Sequence, residues 1–260
     1  MSVWGKVIGG VTGFAMGGPL GAFLGVIAGH AVDRSRGYTA ERIVSWAQGN
    51  AAHQTYNQEE RQVAFSVAVI VLGAKLAKID GAVTRSEVNA FKEIFRIPPE
   101  NVGDVAKIFD EAKQESTGFE PYAEQIAGMF SHEPNVLEEL LGGLFHVAKA
   151  DGDISPNERL YLRSVSRIFG FNERAFNRIL ASHLGGMGGS DQIDPYAVLG
   201  ISRKTSDVEI KKTYRQLIRE NHPDTLIAQG MPPEFVAVAN EKMAAINAAY
   251  DLVEKERGLR

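Results

Sequence analysis

The sequence predicts an all-α protein in three parts: a glycine-patterned N-terminal transmembrane helix, a central helical bundle and a C-terminal antiparallel helix pair. Three observations favour this class. Apolar residues recur at helical spacing from Arg61 to Leu180, and the strand signal is poor throughout. The N-terminal segment carries a glycine at every fourth position. Near the C-terminus, two helix-length segments carry apolar stripes that can pack against each other.

Composition limits the functions open to this 260-residue chain. Its apolar content of 44% and charged content of 23% are ordinary for a globular protein. The formal net charge of −4 argues against a nucleic-acid surface spread over the whole molecule. The chain has no cysteine, which excludes disulfides, thiolate metal sites and a cysteine nucleophile. We predict no cofactor and no nucleic-acid partner.

The stretch from Val7 to Gly29 contains no formal charge and, at 23 residues, is long enough to cross a bilayer core of about 30 Å. In a soluble helix each of its regularly spaced glycines would cost about 1 kcal/mol relative to alanine. In a membrane, small residues at this spacing let two helices approach closely. The pattern predicts one span in membrane lipid that packs into a homodimer. Its packing glycines are Gly9, Gly13, Gly17, Gly21 and Gly25.

Two other interpretations of this stretch stay open: a hairpin that turns near Pro19, and a soluble or cleaved segment. The flanking charges indicate an orientation. Arg34, Arg36 and Arg42 follow the stretch, and only Lys6 precedes it. The positive-inside rule then places the C-terminal domains in the cytoplasm.

The central region begins with a second uncharged run, Gln62 to Ala74, whose 13 residues are too few to cross a membrane. We predict that this run is a buried core helix in a bundle of about seven helices. The bundle contains an internal repeat, offset by 71 residues, of the form A-K-x-D-G-x-[VI]-[TS]-x-x-E. Its copies begin at Ala77 and Ala148.

The repeat has two interpretations. Oxygen ligands from Asp151, Asp153, Ser155 and Glu158 would suit a cation, but the glycine and the final glutamate do not lie where an EF-hand needs them. Alternatively, Asp-Gly forms a turn, and Ser155 and Glu158 form a capping box that starts the next helix. The first copy would do the same with Thr84 and Glu87, and it has Ala82 where the second has Asp153. Capping explains both copies, so we predict no metal site.

These paired D-G-x-[VI]-[TS]-x-x-E turns resemble the TerB-like helical domain of tellurite-resistance proteins. The resemblance covers roughly residues 61–180. It implies an interaction module and supplies no catalytic residues.

A glycine-rich segment, residues 183–193, predicts a flexible tether to the C-terminal region. A short helix within Asp194–Ile201 follows and is closed by Gly200. Pro232 and Pro233 precede a long helix with one apolar stripe. The members of that stripe are Ala239, Met243, Ile246, Tyr250 and Val253.

Between these helices, the stretch from Ser206 to Asp224 predicts an amphipathic helix. Ser206 and Glu209 have the spacing of a reciprocal capping pair. Ile210, Tyr214, Leu217 and Ile218 form an apolar stripe, which we expect to pack on the stripe of the long helix. The opposite face is basic and consists of Lys211, Lys212, Arg215 and Arg219. His222, Pro223 and Asp224 follow, and the proline predicts the end of the helix and a rigid loop.

The order D-P-Y-x-V-L-G, K-K-x-Y-R-x-L, H-P-D and I-N-x-A-Y resembles a J domain, the DnaJ-type module that activates DnaK-type chaperones. The resemblance implies that His222, Pro223 and Asp224 bind the chaperone and promote its ATP hydrolysis. It also implies that Lys211, Lys212, Arg215 and Arg219 dock on an acidic chaperone surface. One departure is Thr225, where many members carry lysine. An enzymatic interpretation would pair His222 with Asp224, but no nucleophile motif accompanies them.

All three parts together resemble the DjlA-type membrane-anchored co-chaperones. This implies a single-pass protein of the bacterial inner membrane whose J domain recruits and stimulates a DnaK-type chaperone. The alternative is a membrane-bound stress or envelope scaffold that acts mainly through its TerB-like domain. The expected domains are a membrane anchor at 1–32, a juxtamembrane segment at 33–60, a TerB-like domain at 61–182, the linker at 183–193 and a J domain at 194–260.

Overall fold

The computed structural model describes residues 3, 19–21, 57–81, 83–114, 117–150, 152–184 and 194–259. Regular structure in this part is entirely helical, as predicted. The central region contains α1 (Gln58–Ala77), α2 (Arg85–Ile94), α3 (Val102–Ala112), α4 (Glu120–Met129), α5 (Pro134–Lys149), α6 (Pro156–Ile168) and α7 (Glu173–Leu184). The C-terminal region contains α8 (Pro195–Val198), α9 (Asp207–Glu220), α10 (Pro223–Ala228) and α11 (Val236–Arg257). Single 3-10 turns at Pro99–Asn101 and Pro233–Phe235 precede α3 and α11.

Helix α1 lies at the centre of the first hydrophobic core. Every residue from Val63 to Ala77 is buried, and α3, α4 and α5 pack around the helix. A helix that is apolar on all sides has no face suited to water, so the surrounding helices must cover it. Asn57 starts α1 with a capping box to Glu60. The prediction of a buried core helix over Gln62–Ala74 is confirmed, and the described residues of the central region contain seven α-helices, in agreement with the predicted number of about seven.

The second copy of the repeat starts a helix as predicted. Ser155 Oγ accepts a hydrogen bond from Glu158 N, and the Glu158 carboxylate accepts one from Ser155 N at 2.9 Å. Asp153 is exposed and forms an ion pair with Lys149 at 2.6 Å. Asp151, Ala82 and the Glu87 side chain lie outside the described residues. Within those residues, no cluster of three or more acidic or histidine side chains could hold a metal ion.

Helices α8, α9 and α11 form a second core from Tyr196, Val198, Leu199, Ile210, Ile246, Ala249 and Val253. The predicted antiparallel packing of α9 on α11 is confirmed, with Tyr214 and Tyr250 stacked at 3.9 Å between ring centroids. One member of the α11 stripe was assigned wrongly. Ala239 lies in the first core, because the N-terminal half of α11 packs against the central region.

The described residues contain no helix long and apolar enough to cross a membrane. Of the predicted span they include only residues 19–21, where Leu20 is buried in the first core and its backbone N–H donates to Gln125 Oε1 at 2.8 Å. Of the five packing glycines, Gly9, Gly13, Gly17 and Gly25 lie outside the described residues, as does most of the glycine-rich tether.

Candidate functional site

The basic face of α9 is open to solvent. Lys212, Arg215 and Arg219 are exposed, and Lys211 is partly exposed. The apolar stripe on the opposite side of the helix holds α9 against α11, so the basic residues must point away from the second core. The structure therefore places the four predicted basic residues on one accessible helix.

The start of α9 differs in one detail from the prediction. Glu209 N donates to Ser206 Oγ at 3.3 Å, which is the first half of the expected capping pair. The Glu209 carboxylate, however, lies 3.7 Å from Lys212 Nζ on the next turn. A pair of exposed charges contributes little to stability, so Lys212 stays available to a partner.

His222, Pro223 and Asp224 lie where the chain turns from one helix into the next, and they begin the second helix rather than form a loop; we call these three residues the turn. Helix α9 ends at Glu220, His222 is the N-cap of α10, and Pro223 is the first residue of that helix. The prediction of a loop was wrong because proline is favoured at the first position of a helix, where its missing N–H has no intrahelical partner to lose. His222 Nδ1 accepts a hydrogen bond from Asp224 N at 3.2 Å.

The side chains of His222 and Asp224 are accessible to solvent, while a hydrogen bond from the next residue joins this turn to α9. The His222 side chain is 50% exposed and that of Asp224 is 89% exposed. Thr225 Oγ1 donates to Arg219 O at 3.2 Å, which joins the turn to the last residues of α9. The turn thus presents an imidazole and a carboxylate beside the basic face at a fixed place.

The segment after the turn packs into the central region, a contact that the sequence did not reveal. We call residues 226–239 the docking segment. Leu226, Met231, Phe235 and Ala239 of this segment are members of the first core. The Phe235 ring lies 4.7 Å from that of Phe65 and 4.9 Å from that of Phe95, measured between centroids.

A buried group of charges joins α11 to the central region. Lys242 Nζ lies 3.0 Å from Glu138 Oε2 and 2.8 Å from Glu139 Oε1, and none of the three side chains is more than 6% exposed. Arg178 of α7 forms a bidentate ion pair with Glu138. We call these four residues the Lys242 cluster. Sequence reasoning missed it, although the adjacent glutamates in the apolar part of α5 were a usable signal, since buried carboxylates need a cation.

Two histidines border this cluster. The His183 ring is packed tightly against Gly142, and its Nε2 lies 4.0 Å from Glu139 Oε1. The His146 and His183 rings meet edge to face at 5.8 Å between centroids. His146 Nε2 lies 3.5 Å from Glu241 Oε2. Both imidazoles are therefore enclosed where α5, α7 and α11 meet.

Burial and the neighbouring charges set the pKa values in this cluster. Burial by itself would raise the pKa of Glu138, but Lys242 and Arg178 lower it to about 2. Burial raises the pKa of Glu139, against the opposing effect of Lys242. Burial would lower the pKa of Lys242, but the two carboxylates raise it. Lys242 and Glu138 consequently carry opposite charges at neutral pH.

Known proteins match this chain in the same three parts. A family model described as the co-chaperone DjlA transmembrane domain matches residues 1–49. Models described as tellurite resistance protein TerB and as DnaJ domain match residues 66–181 and 194–258. A co-chaperone protein DjlA of Photobacterium profundum is 31% identical over 99% of this chain and 100% of its own. One of Vibrio cholerae is 32% identical over 100% of both chains. This chain belongs to the DjlA co-chaperone family.

Membership of the DjlA family confirms the resemblances drawn from the repeated turns and from the four C-terminal motifs. The central region is the TerB-like domain, and the C-terminal region is the J domain. A J domain in a family of co-chaperones indicates a regulator of a chaperone rather than an enzyme. The match at the N-terminus indicates a membrane-anchored protein. The comparison with solved structures finds no match.

Proposed function

We propose that this protein is a co-chaperone of the bacterial inner membrane whose J domain recruits a DnaK-type chaperone and stimulates its ATP hydrolysis. The observation that carries the proposal is the accessible turn of His222, Pro223 and Asp224 directly beside the basic face of α9. Exposed positive charges attract an acidic partner surface over several ångströms and orient it during encounter. The rigid turn then contacts that partner and favours one of its conformational states.

Single-turnover ATP hydrolysis by a purified DnaK-type chaperone tests this proposal. The full chain, purified in detergent, is expected to raise the hydrolysis rate, and the His222→Gln variant is expected to lose the effect. His132, an exposed histidine of the TerB-like domain, provides the control His132→Gln, which should stimulate like the wild type. Equal stimulation by the wild type and His222→Gln would contradict the proposal. That result would favour the alternative, a scaffold acting through the TerB-like domain.

The proposal includes a single N-terminal span with both C-terminal domains in the cytoplasm. An uncharged stretch of this length supports the span, and the arginines that follow it support the orientation. Extraction of bacterial membranes with alkaline carbonate should leave the full chain in the membrane pellet. Release into the supernatant would contradict the anchor. Protease added outside intact spheroplasts should leave the J domain uncut. Digestion of the J domain would show that it lies outside the cytoplasm and would contradict the proposed orientation.

Homodimerisation through the span is a separate part of the proposal. Glycines at every fourth position allow close packing of two helices in lipid. Replacing Gly17 and Gly21 together by leucine should weaken self-association of the span, measured by energy transfer between labelled copies in vesicles. Association equal to that of the wild type would remove the glycine argument while leaving the chaperone function untouched.

A further inference from the structure

The turn of His222, Pro223 and Asp224 is fastened on both sides. On one side, Thr225 bonds back to α9 through Arg219 O. On the other, Leu226 is only two residues beyond Asp224 and is fully buried in the first core. Thr225 and Leu226 are consecutive residues of helix α10. Any movement of the docking segment out of the TerB-like domain therefore moves the turn.

Polar contacts reinforce this attachment close to the turn. Gln58 Nε2 donates to Ile227 O at 3.1 Å, which fixes α10 to the first residue of α1. Asn135 Nδ2 lies 3.5 Å from Glu220 O, at the end of α9. Arg174 of α7 donates to Gly200 O at 3.0 Å. The TerB-like domain thus contacts the J domain before and after the turn.

The Lys242 cluster adds a buried connection on the face of α11 that also carries Ala239 of the docking segment. Charges removed from water are stable only when each keeps a partner, so Lys242 cannot leave Glu138 and Glu139 without a large penalty. This cluster and the docking segment together make separation of the two domains costly.

We propose that the TerB-like domain is a positioning element for the chaperone-stimulating turn, acting through the docking segment and the Lys242 cluster. The inference rests on the proposed function. It assigns a role in that function to residues that are remote from the chaperone-binding surface. The contact positions the turn rather than hiding it, because His222, Asp224 and the basic face stay accessible while the domains are docked. A turn held in place loses less conformational entropy when a partner binds.

Gly230 offers a substitution aimed at this interface. Its φ is +104°, and a Cβ added there would lie 3.0 Å from Arg61 Cβ and 3.1 Å from Phe130 Cε1 of the TerB-like domain. Gly230→Ala should therefore push the docking segment away. Gly258→Ala is the matched control, since φ there is +63° but no atom lies within 4 Å of the added carbon.

Activity is measured with full-chain protein in detergent and the purified DnaK-type chaperone. For Gly230→Ala, the co-chaperone concentration giving half-maximal stimulation should rise by about tenfold, because the turn must now be ordered during binding. The maximal stimulation should stay near that of the wild type, because His222 is intact. Gly258→Ala should match the wild type in both quantities.

Docking itself is measured separately by spin labels on Leu160→Cys of α6 and Val208→Cys of α9. Both positions are exposed, at 61% and 79%, and the chain has no cysteine of its own. The wild type and Gly258→Ala should give one narrow distance distribution, and Gly230→Ala a broad one. Lys242→Met is a second variant, with the same expectations, if Gly230→Ala fails to fold or stays docked.

A broad distance distribution with an unchanged half-maximal concentration would overturn the inference. So would stronger stimulation by the undocked variants, since the contact would then hide the turn. Narrow distributions for both variants would show that these residues do not hold the interface. If His222→Gln stimulates like the wild type, the proposed function fails instead.

Discussion

The positive charges of α9 and the positive charge of Lys242 belong to one J domain but lie in opposite environments. Arg215 and Arg219 are exposed, whereas the Lys242 side chain is completely buried between two glutamates. An exposed charge keeps its hydration and is free to attract a partner. A buried charge must be neutralised inside the protein. Positive charge in the J domain is therefore open to solvent on α9 but joins the domain to the TerB-like domain on α11.

The largest effect is expected from Lys242→Met. Glu139 would stay buried without a cation and Glu138 would keep only Arg178, so the free energy of unfolding should fall by about 3–5 kcal/mol. Urea denaturation of the full chain, followed by circular dichroism, measures this loss. Lys242→Met combined with Glu138→Gln and Glu139→Gln should recover most of it, because no buried carboxylate is then left unpaired. A triple variant as unstable as Lys242→Met would contradict the role assigned to charge.

Reversing the exposed charges should change recognition without changing stability. Arg215→Glu together with Arg219→Glu is expected to raise the half-maximal co-chaperone concentration on the order of tenfold. The difference from the wild type should shrink at high salt, which screens exposed charges. ATP hydrolysis measured at two salt concentrations checks both statements. Lys255→Glu, an exposed reversal on α11, is the control. An equal effect of Lys255→Glu would leave no special role for the basic face.

Acidification should weaken the buried side of the comparison. Burial, followed by the charges of Lys242, His146 and Arg178, lowers the pKa of His183 well below its usual 6.5. Burial also lowers the pKa of His146, against the opposing charge of Glu241. Below about pH 6.5 these two histidines bind protons in the unfolded chain but stay neutral in the folded chain. The stability present above that pH is therefore lost as the pH falls towards their pKa values in the folded protein.

Melting temperatures between about pH 7.5 and about pH 5.5 measure this dependence. His183→Leu removes one buried imidazole and should make the melting temperature fall less steeply with decreasing pH. His132→Leu makes the same substitution at an exposed position and is the control for the change of side chain. Equal slopes for His183→Leu and the wild type would show that His183 is not the group that titrates.

The smallest effect is expected from Arg203→Ala. Arg203 forms ion pairs with Asp194 at 3.0 Å and Glu256 at 2.9 Å, yet its side chain is 59% exposed. Exposed pairs typically contribute about 0–1 kcal/mol, so urea denaturation should show a loss within that range. Lys242 also pairs with two carboxylates but is completely buried, so the loss at Lys242 is expected to be the larger of the two. A loss as large as that of Lys242→Met would contradict this explanation.

The sequence by itself determined the features that depend on neighbouring residues along the chain. Helical periodicity predicted α1, α9 and α11, and the Ser155 capping box was readable from four consecutive residues, because such patterns act within one or two turns. His222, Pro223 and Asp224 were recognisable for the same reason, because they are consecutive residues that directly follow the basic helix. The sequence did not show that Pro223 begins α10, since proline ends one helix and starts another equally well.

The tertiary structure alone decided how the J domain is attached. Lys242 reads as an ordinary surface lysine in its own helix, and the residues that neutralise it precede it by 103 and 104 positions. Likewise, Leu226 and Phe235 lie between α9 and α11, where the sequence predicted no contact with the central region, yet they complete the core of another domain. Contacts between residues so far apart in the chain leave no periodic pattern in the sequence. Only the packed structure reveals which side of α11 faces the TerB-like domain.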